Sequence, residues 1–147
     1  MEHGNEFKQA MKAMALGESN GPDLVTALPD GSEGPWGIYT AAMFAAILDR
    51  VFRDNASPEA VKRFTDGVRY AYRNSTPPVK TLVLEGLIRG MLGEDHLLDE
   101  ISSEEQYEAE LLAIRYVTGT DEHVSLHLEN YLVDAETLAD SWMEDEG

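Results

Sequence analysis

Two histidines, His123 and His127, stand four residues apart in the last third of the chain. In a helix this spacing places both imidazole rings on one face, where they could share a divalent metal ion. Glu122 precedes the first histidine, so the pair lacks the intervening glutamate of the H-E-x-x-H motif. The sequence therefore leaves two interpretations of the pair, a metal site or simple packing beside Tyr131.

No other group of residues assembles a catalytic set. Residues 17–21 match the G-x-S-x-G pattern of a nucleophile elbow, but the preceding residues have a helical pattern where that motif needs a strand. The chain has no cysteine, which excludes disulfides, thiolate metal sites and a cysteine nucleophile. We predict no catalytic residue and no cofactor, and enzymatic activity is the less favoured interpretation.

Charge is unevenly distributed along the chain. Acidic residues outnumber basic ones 28 to 11, for a net charge of −17. Residues 93–147 hold 17 acidic side chains and one cation, Arg115, whereas residues 36–92 hold five acidic and eight basic side chains. A surface of one sign attracts basic proteins and repels nucleic acid and anionic membranes. Adaptation of a host to salt is the alternative explanation for the acidity.

The acidic segment supplies the candidate binding residues. They share one short stretch at the start of a predicted helix: Asp99, Glu100, Glu104, Glu105 and Glu108. Like charges four residues apart weaken a helix slightly, and a basic partner would relieve that cost. Lys62, Arg69 and Arg73 form a basic face on an earlier helix. We expect this face to compensate the acidic helices, within one chain or between two.

These observations favour a non-enzymatic acidic module that captures a basic protein, in the manner of an inhibitor, an immunity protein or a mimic of nucleic acid. The first alternative is a metal-dependent enzyme or metal sensor that uses His123 and His127. The second is a self-assembling scaffold, for example a homodimer, with Trp36, Trp142 and the methionines of the first helix as contact surfaces. We expect no direct binding to nucleic acid or to a membrane. We expect a cytoplasmic location.

Apolar periodicity predicts helices and no strands. The predicted helices cover residues 5–16, 36–54, 58–73, 77–92 and 103–117, followed by a sixth that Thr120 caps and a seventh that begins at Asp134. Ser57 and Thr76 each precede a proline and are predicted N-caps, and Ser102 with Glu105 predicts a capping box. Residues 17–37 contain five glycines and three prolines, which predicts a linker or a loop that wraps the core.

The predicted fold is therefore all-α, a single compact bundle of six or seven helices. Residues 36–54 and 77–92 are apolar on nearly every side, so both are predicted to be central helices. We divide the chain into residues 1–35, an N-terminal helix with its linker, and residues 36–147, a helical core with strongly acidic C-terminal helices. The longest apolar stretch, residues 38–48, is too short to cross a bilayer.

Overall fold

A computed structural model describes residues 1–146 of the chain; Gly147, the last residue of the predicted core, lies outside them. The described residues fold into eight α-helices and one 3₁₀ helix, Asp95–Glu100, and contain no strand. The all-α prediction is confirmed, although the count of six or seven helices is too low. The α-helices are α1 (Gly4–Leu16), α2 (Gly21–Thr26), α3 (Glu33–Phe52), α4 (Pro58–Ala71), α5 (Thr81–Met91), α6 (Ser103–Thr120), α7 (Glu122–Leu126) and α8 (Leu128–Glu146).

The first helix ends where the sequence places its glycine. Gly17 has a φ of 68°, the left-handed conformation typical of a helix C-terminus. Its N–H donates hydrogen bonds to the carbonyl oxygens of Ala13 and Met14. The Arg115 side chain of α6 lies across this glycine, so a Cβ at position 17 would stand 2.7 Å from its Nε. The short helix α2 lies within residues 17–37, which were predicted to be a linker or loop. Phe7 and Met11 of α1 are buried in the core.

The central helix is α3. Its buried residues lie on several sides, because α6 and α8 both pack along it. Tyr39 is fully buried and its hydroxyl donates a hydrogen bond of 3.1 Å to the carbonyl oxygen of Leu132 in α8. Phe7, Trp36 and Tyr39 form an aromatic cluster with ring centroids 5.6–6.0 Å apart. The prediction that this segment is the apolar centre is correct.

The prediction of a second central helix at residues 77–92 is wrong. The helix begins at Thr81, not at the predicted cap Thr76, and only α4, α6 and the 3₁₀ helix cover it to any extent. Leu84, Leu87 and Ile88 are buried on one stripe, whereas Leu82 is 81% exposed on the outer side. Burial depends on how many neighbours surround a helix, and α5 lies at the periphery. The second central helix is α6, which packs against α1, α3, α5 and α7.

Local capping signals explain the boundaries of the acidic helices. The predicted capping box is present, since the Ser102 hydroxyl accepts from the Glu105 N–H at 3.1 Å and the Glu105 carboxylate accepts from the Ser102 N–H at 3.2 Å. α6 continues to Thr120, past the predicted stop at residue 119, and Asp121 caps the next helix instead of Thr120. α8 continues through Asp134 without a break, so no helix begins there as predicted. In place of the predicted sixth and seventh helices, the structure has the short α7 followed by the long α8.

Candidate functional site

Successive faces of helix α6 line different clefts. The residues on each face follow helical spacing of three, four and seven residues. A cleft between α3, α6 and α8 is lined by Ser103, Gln106, Tyr107 and Glu110 of α6. A cleft beside α5 is lined by Glu105, Glu108, Ala109 and Leu112. A cleft at the α1–α2 connection is lined by Glu108, Leu111, Leu112 and Arg115. A single helix thus separates a buried carboxylate on one side from exposed carboxylates on another.

Four of the five predicted binding residues are exposed and free of ion pairs. Asp99 and Glu100 lie in the 3₁₀ helix, and Glu104 and Glu108 follow on one face of α6. Within the part of the chain that the structure describes, no cation lies within salt-bridge distance of these four carboxylates. We call Asp99, Glu100, Glu104 and Glu108 the acidic surface.

Glu105 differs from its neighbours because it stabilises the fold. Its carboxylate closes the capping box and lies 3.6 Å from the Lys80 ammonium. Hydrogen bonds from the backbone and side chain of Ser102, assisted by Lys80, hold the pKa of Glu105 below its usual value, while desolvation acts in the opposite direction. Glu105 is therefore not grouped with the acidic surface.

Two apolar clefts adjoin the acidic surface. The cleft beside α5 has a volume of about 200 Å³ and is lined by Pro77, Pro78 and Val83 among others. The cleft at the α1–α2 connection has a volume of about 460 Å³ and is lined by Met14 and Pro22 among others. Glu108 and Leu112 line both. Exposed carboxylates beside apolar depressions are the combination that an amphipathic basic segment would contact.

Among the described residues of one chain, the basic face of α4 makes no ion pair with the acidic helices, so the intramolecular half of the expectation is not met and compensation between two chains stays a prediction. Arg69 contacts Asp66 at 3.7 Å and donates to the Thr81 hydroxyl, and the Arg73 guanidinium lies 4.2 Å from the centroid of the Tyr70 ring. Two acidic residues of α8 are instead paired with lysines of α1. The ammonium groups of Lys8 and Lys12 lie 3.0 Å and 2.6 Å from Glu136 and Glu129.

The histidine pair lies at the α7–α8 junction beside an open cleft of about 640 Å³. The two rings are stacked, with centroids 4.4 Å apart and planes inclined by 23°. His127 Nδ1 is 2.9 Å from the carbonyl oxygen of His123, so this nitrogen carries the hydrogen and donates it. His123 Nδ1 is 2.9 Å from the Tyr131 hydroxyl oxygen. Both Nδ1 atoms are therefore already hydrogen-bonded.

Asp121 fixes the start of the helix that carries His123. Its carboxylate accepts from the backbone N–H groups of His123 and Val124 at 3.0 Å and 3.3 Å, and Arg50 Nε lies 3.3 Å from the same side chain. Partial burial raises the pKa of Asp121, but the hydrogen bonds from Arg50 and from the two backbone groups outweigh it and leave that pKa lowered. The carboxylate is thus committed to the cap and to Arg50.

Glu110 is a candidate site residue that reasoning from sequence missed. It belongs to the acidic segment of residues 93–147, yet it is only 3% exposed. Burial raises its pKa to about 7, opposed by a hydrogen bond of 3.1 Å from the Gln106 amide. A signal was present in the sequence, because Ala113, Ile114 and Val117 follow Glu110 at three, four and seven residues and are all buried.

Comparison with known proteins adds no relative. No family model, no curated protein and no solved structure matches this chain. None of the helices within residues 1–146 combines the length and the apolar character that a membrane crossing requires.

The surfaces expected for a self-assembling scaffold are only partly accessible. Trp36 is 5% exposed and its Nε1 donates to the Tyr107 hydroxyl at 2.9 Å, and Met11 is fully buried. These two side chains stabilise the core and are not contact surfaces, which corrects the expectation from sequence. Trp142 is partly buried beside the α3–α6–α8 cleft.

We expect zinc, nickel and manganese to bind no more tightly than about micromolar, because both Nδ1 atoms are already hydrogen-bonded and the two rings are stacked nearly parallel, which disfavours in-plane coordination of one shared ion. Among residues 1–146, no group of three or more histidine, aspartate or glutamate side chains is arranged to hold a metal ion. Calorimetric titration measures the affinity, with His123→Ala as the matched control. A tight one-to-one site that His123→Ala or His127→Ala abolishes would establish the metal interpretation instead.

Proposed function

We propose that this protein is a non-enzymatic binding module whose acidic surface captures a basic protein partner. The observation that supports the proposal is the placement of Glu108. This carboxylate has no ion-pair partner among the described residues and lines two apolar clefts at once. A partner helix with lysines or arginines along one edge and apolar side chains along another would match both features.

Electrostatics favours a basic partner over other ligands. The acidic surface holds four carboxylates within ten residues, and the nearby Lys80 is already engaged with Glu105. Exposed like charges repel one another, and a cationic partner relieves that repulsion while it steers association. The apolar clefts supply the burial that fixes register, since charge alone gives little orientation.

The proposal is tested by binding of a synthetic amphipathic helix of roughly 15 residues, with lysines on one face and leucines on the other. The surface variant carries Asp99→Asn, Glu100→Gln, Glu104→Gln and Glu108→Gln and leaves the capping residue Glu105 intact. We expect it to bind the peptide about tenfold more weakly at low salt and to show a flatter dependence on salt. Fluorescence anisotropy of the labelled peptide measures both.

A charge-matched variant separates a specific surface from the net charge. Asp54→Asn, Glu59→Gln, Asp134→Asn and Glu144→Gln remove four exposed carboxylates elsewhere on the molecule. We expect this variant to weaken binding by less than about threefold. Equal losses in the two variants would mean that only total charge matters, and the proposed surface would be wrong.

A further inference from the structure

Another cleft, on the opposite side of α6 from the acidic surface, has the features of a ligand site. It lies between α3, α6 and α8 and has a volume of about 450 Å³. Gly34 and Gly37 of α3 form one wall, and a Cβ built at either glycine would meet no atom within 4 Å. The missing side chains of two helical glycines therefore leave this space open.

A buried carboxylate faces that space. Glu110 lines the cleft, and its Oε2 accepts the hydrogen bond from Gln106 Nε2. Among the described residues no group donates to Oε1, and every fully enclosed side-chain polar atom has a hydrogen-bond partner. Oε1 is therefore not fully enclosed, and since Glu110 lines the cleft, the cleft offers a ligand access to this unused acceptor.

The rest of the lining selects the ligand. Tyr107 and Trp142 supply aromatic surface, and the Tyr107 ring is held by the hydrogen bond from Trp36. Glu33 is the only other charged side chain among the described lining residues, and it also is acidic. Of the elements that form the cleft, α3 contributes Glu33, α6 contributes Glu110 and Tyr107, and α8 contributes no titratable side chain to the described lining.

We propose that this cleft binds an organic cation, a primary ammonium or guanidinium group on a short apolar stem, with its charge against Glu110 Oε1. The carboxylate pairs with the cationic head, and the faces of Trp142 and Tyr107 accommodate head and stem through cation–π and apolar contact. An anion would meet two carboxylates. Above about pH 7, a neutral ligand would leave an ionised carboxylate buried without a counter-ion.

The same chemistry has two sources, a free amine and a lysine or arginine side chain of another protein. The inference does not depend on the proposed function, because Glu110 and Glu108 line different clefts on different faces of α6. Either source places a cation beside Glu110, and the experiment distinguishes them.

The test is a titration of the full chain with n-butylammonium chloride and with n-butylguanidinium chloride. Each titration is monitored by ¹H–¹⁵N NMR. We expect shifts at the amides of Gly34 and Gly37 and at the indole N–H of Trp142, with a dissociation constant of about 1 mM for so small a ligand. An acetylated and amidated Gly-Gly-Lys-Gly-Gly peptide is titrated in parallel. Tighter binding of the peptide indicates a protein side chain as the source, and tighter binding of the free amine indicates a small molecule.

Ligand affinity in variants and at different pH values tests whether Glu110 binds the cation. Glu110→Gln and the cleft-filling Gly37→Leu should each weaken binding at least about tenfold, while Glu59→Gln on α4 should leave it unchanged. Affinity should also fall about tenfold from pH 8 to pH 6, since the cation binds the ionised carboxylate and protonation removes it. Binding of 1-pentanol as tight as that of n-butylammonium, binding retained in Glu110→Gln, or no shift at about 10 mM ligand would overturn the proposal.

Discussion

Replacing Glu110 with glutamine is expected to stabilise the protein by about 3 kcal/mol near pH 8 and to leave its stability almost unchanged near pH 4. Glutamine has nearly the same shape as glutamate and can keep a hydrogen bond with Gln106, but it has no charge to bury. The gain is large because Glu110 is 3% exposed and no cation pairs with it among the described residues.

The direction of the pH dependence follows from the raised pKa. Burial raises the pKa of Glu110 from 4.5 in its unperturbed state to about 7 in the folded protein. Between those two values the unfolded chain has lost the proton and the folded chain still holds it, so rising pH favours unfolding. The destabilisation is absent below the lower value, grows through the interval and is complete above about pH 7.

Urea unfolding of both proteins at several pH values measures this difference. Glu108→Gln is the matched control, since it is the same change on an exposed face of the same helix. We expect its effect to stay within about 0.5 kcal/mol at every pH. A stability difference between Glu110→Gln and the parent chain that is constant from pH 4 to pH 8 would contradict the assignment.

Leu87→Ala is expected to lower the free energy of unfolding by about 2–5 kcal/mol. The side chain is fully buried on the inner stripe of α5, so its removal loses apolar contacts and leaves a cavity in the core. Denaturant unfolding at neutral pH, with the slope m checked for constancy, gives the value.

The control for this prediction lies in the same helix. Leu82 is 81% exposed, and Leu82→Ala makes the same chemical change with almost no loss of burial. We expect it to cost less than about 0.5 kcal/mol, because alanine is also the better helix former. Similar costs at the two positions would show that the inner and outer faces of α5 have been exchanged.

Several signals confined to a few residues were predictable from sequence, although the predicted caps Thr76 and Thr120 do not cap a helix. The capping box of Ser102 and Glu105, the Ser57 cap and the Gly17 terminus each depend on the chemistry of one helix end, and all three are confirmed. The central position of α3 was also predictable, because a helix that is apolar on every side has few other places to lie.

Features that depend on neighbouring helices were not predictable in the same way. α2 and the 3₁₀ helix have six residues each, too short for periodicity to detect and too short to be stable without packing. The exposure of Leu82 depends on which helices happen to cover α5. Glu110 was grouped with its acidic neighbours because composition describes a segment, whereas burial is decided residue by residue through the contacts of α6.

The contact between Gly17 and Arg115 has a consequence for how sequences of this fold can diverge. The left-handed turn at residue 17 favours glycine, and the Arg115 guanidinium lies where a Cβ would stand. Because that guanidinium is the far end of a flexible side chain, it can move aside, so the positive φ is the stronger constraint on position 17. The tolerance of position 17 for larger residues thus depends first on its own backbone and only second on Arg115, almost a hundred residues away in the chain.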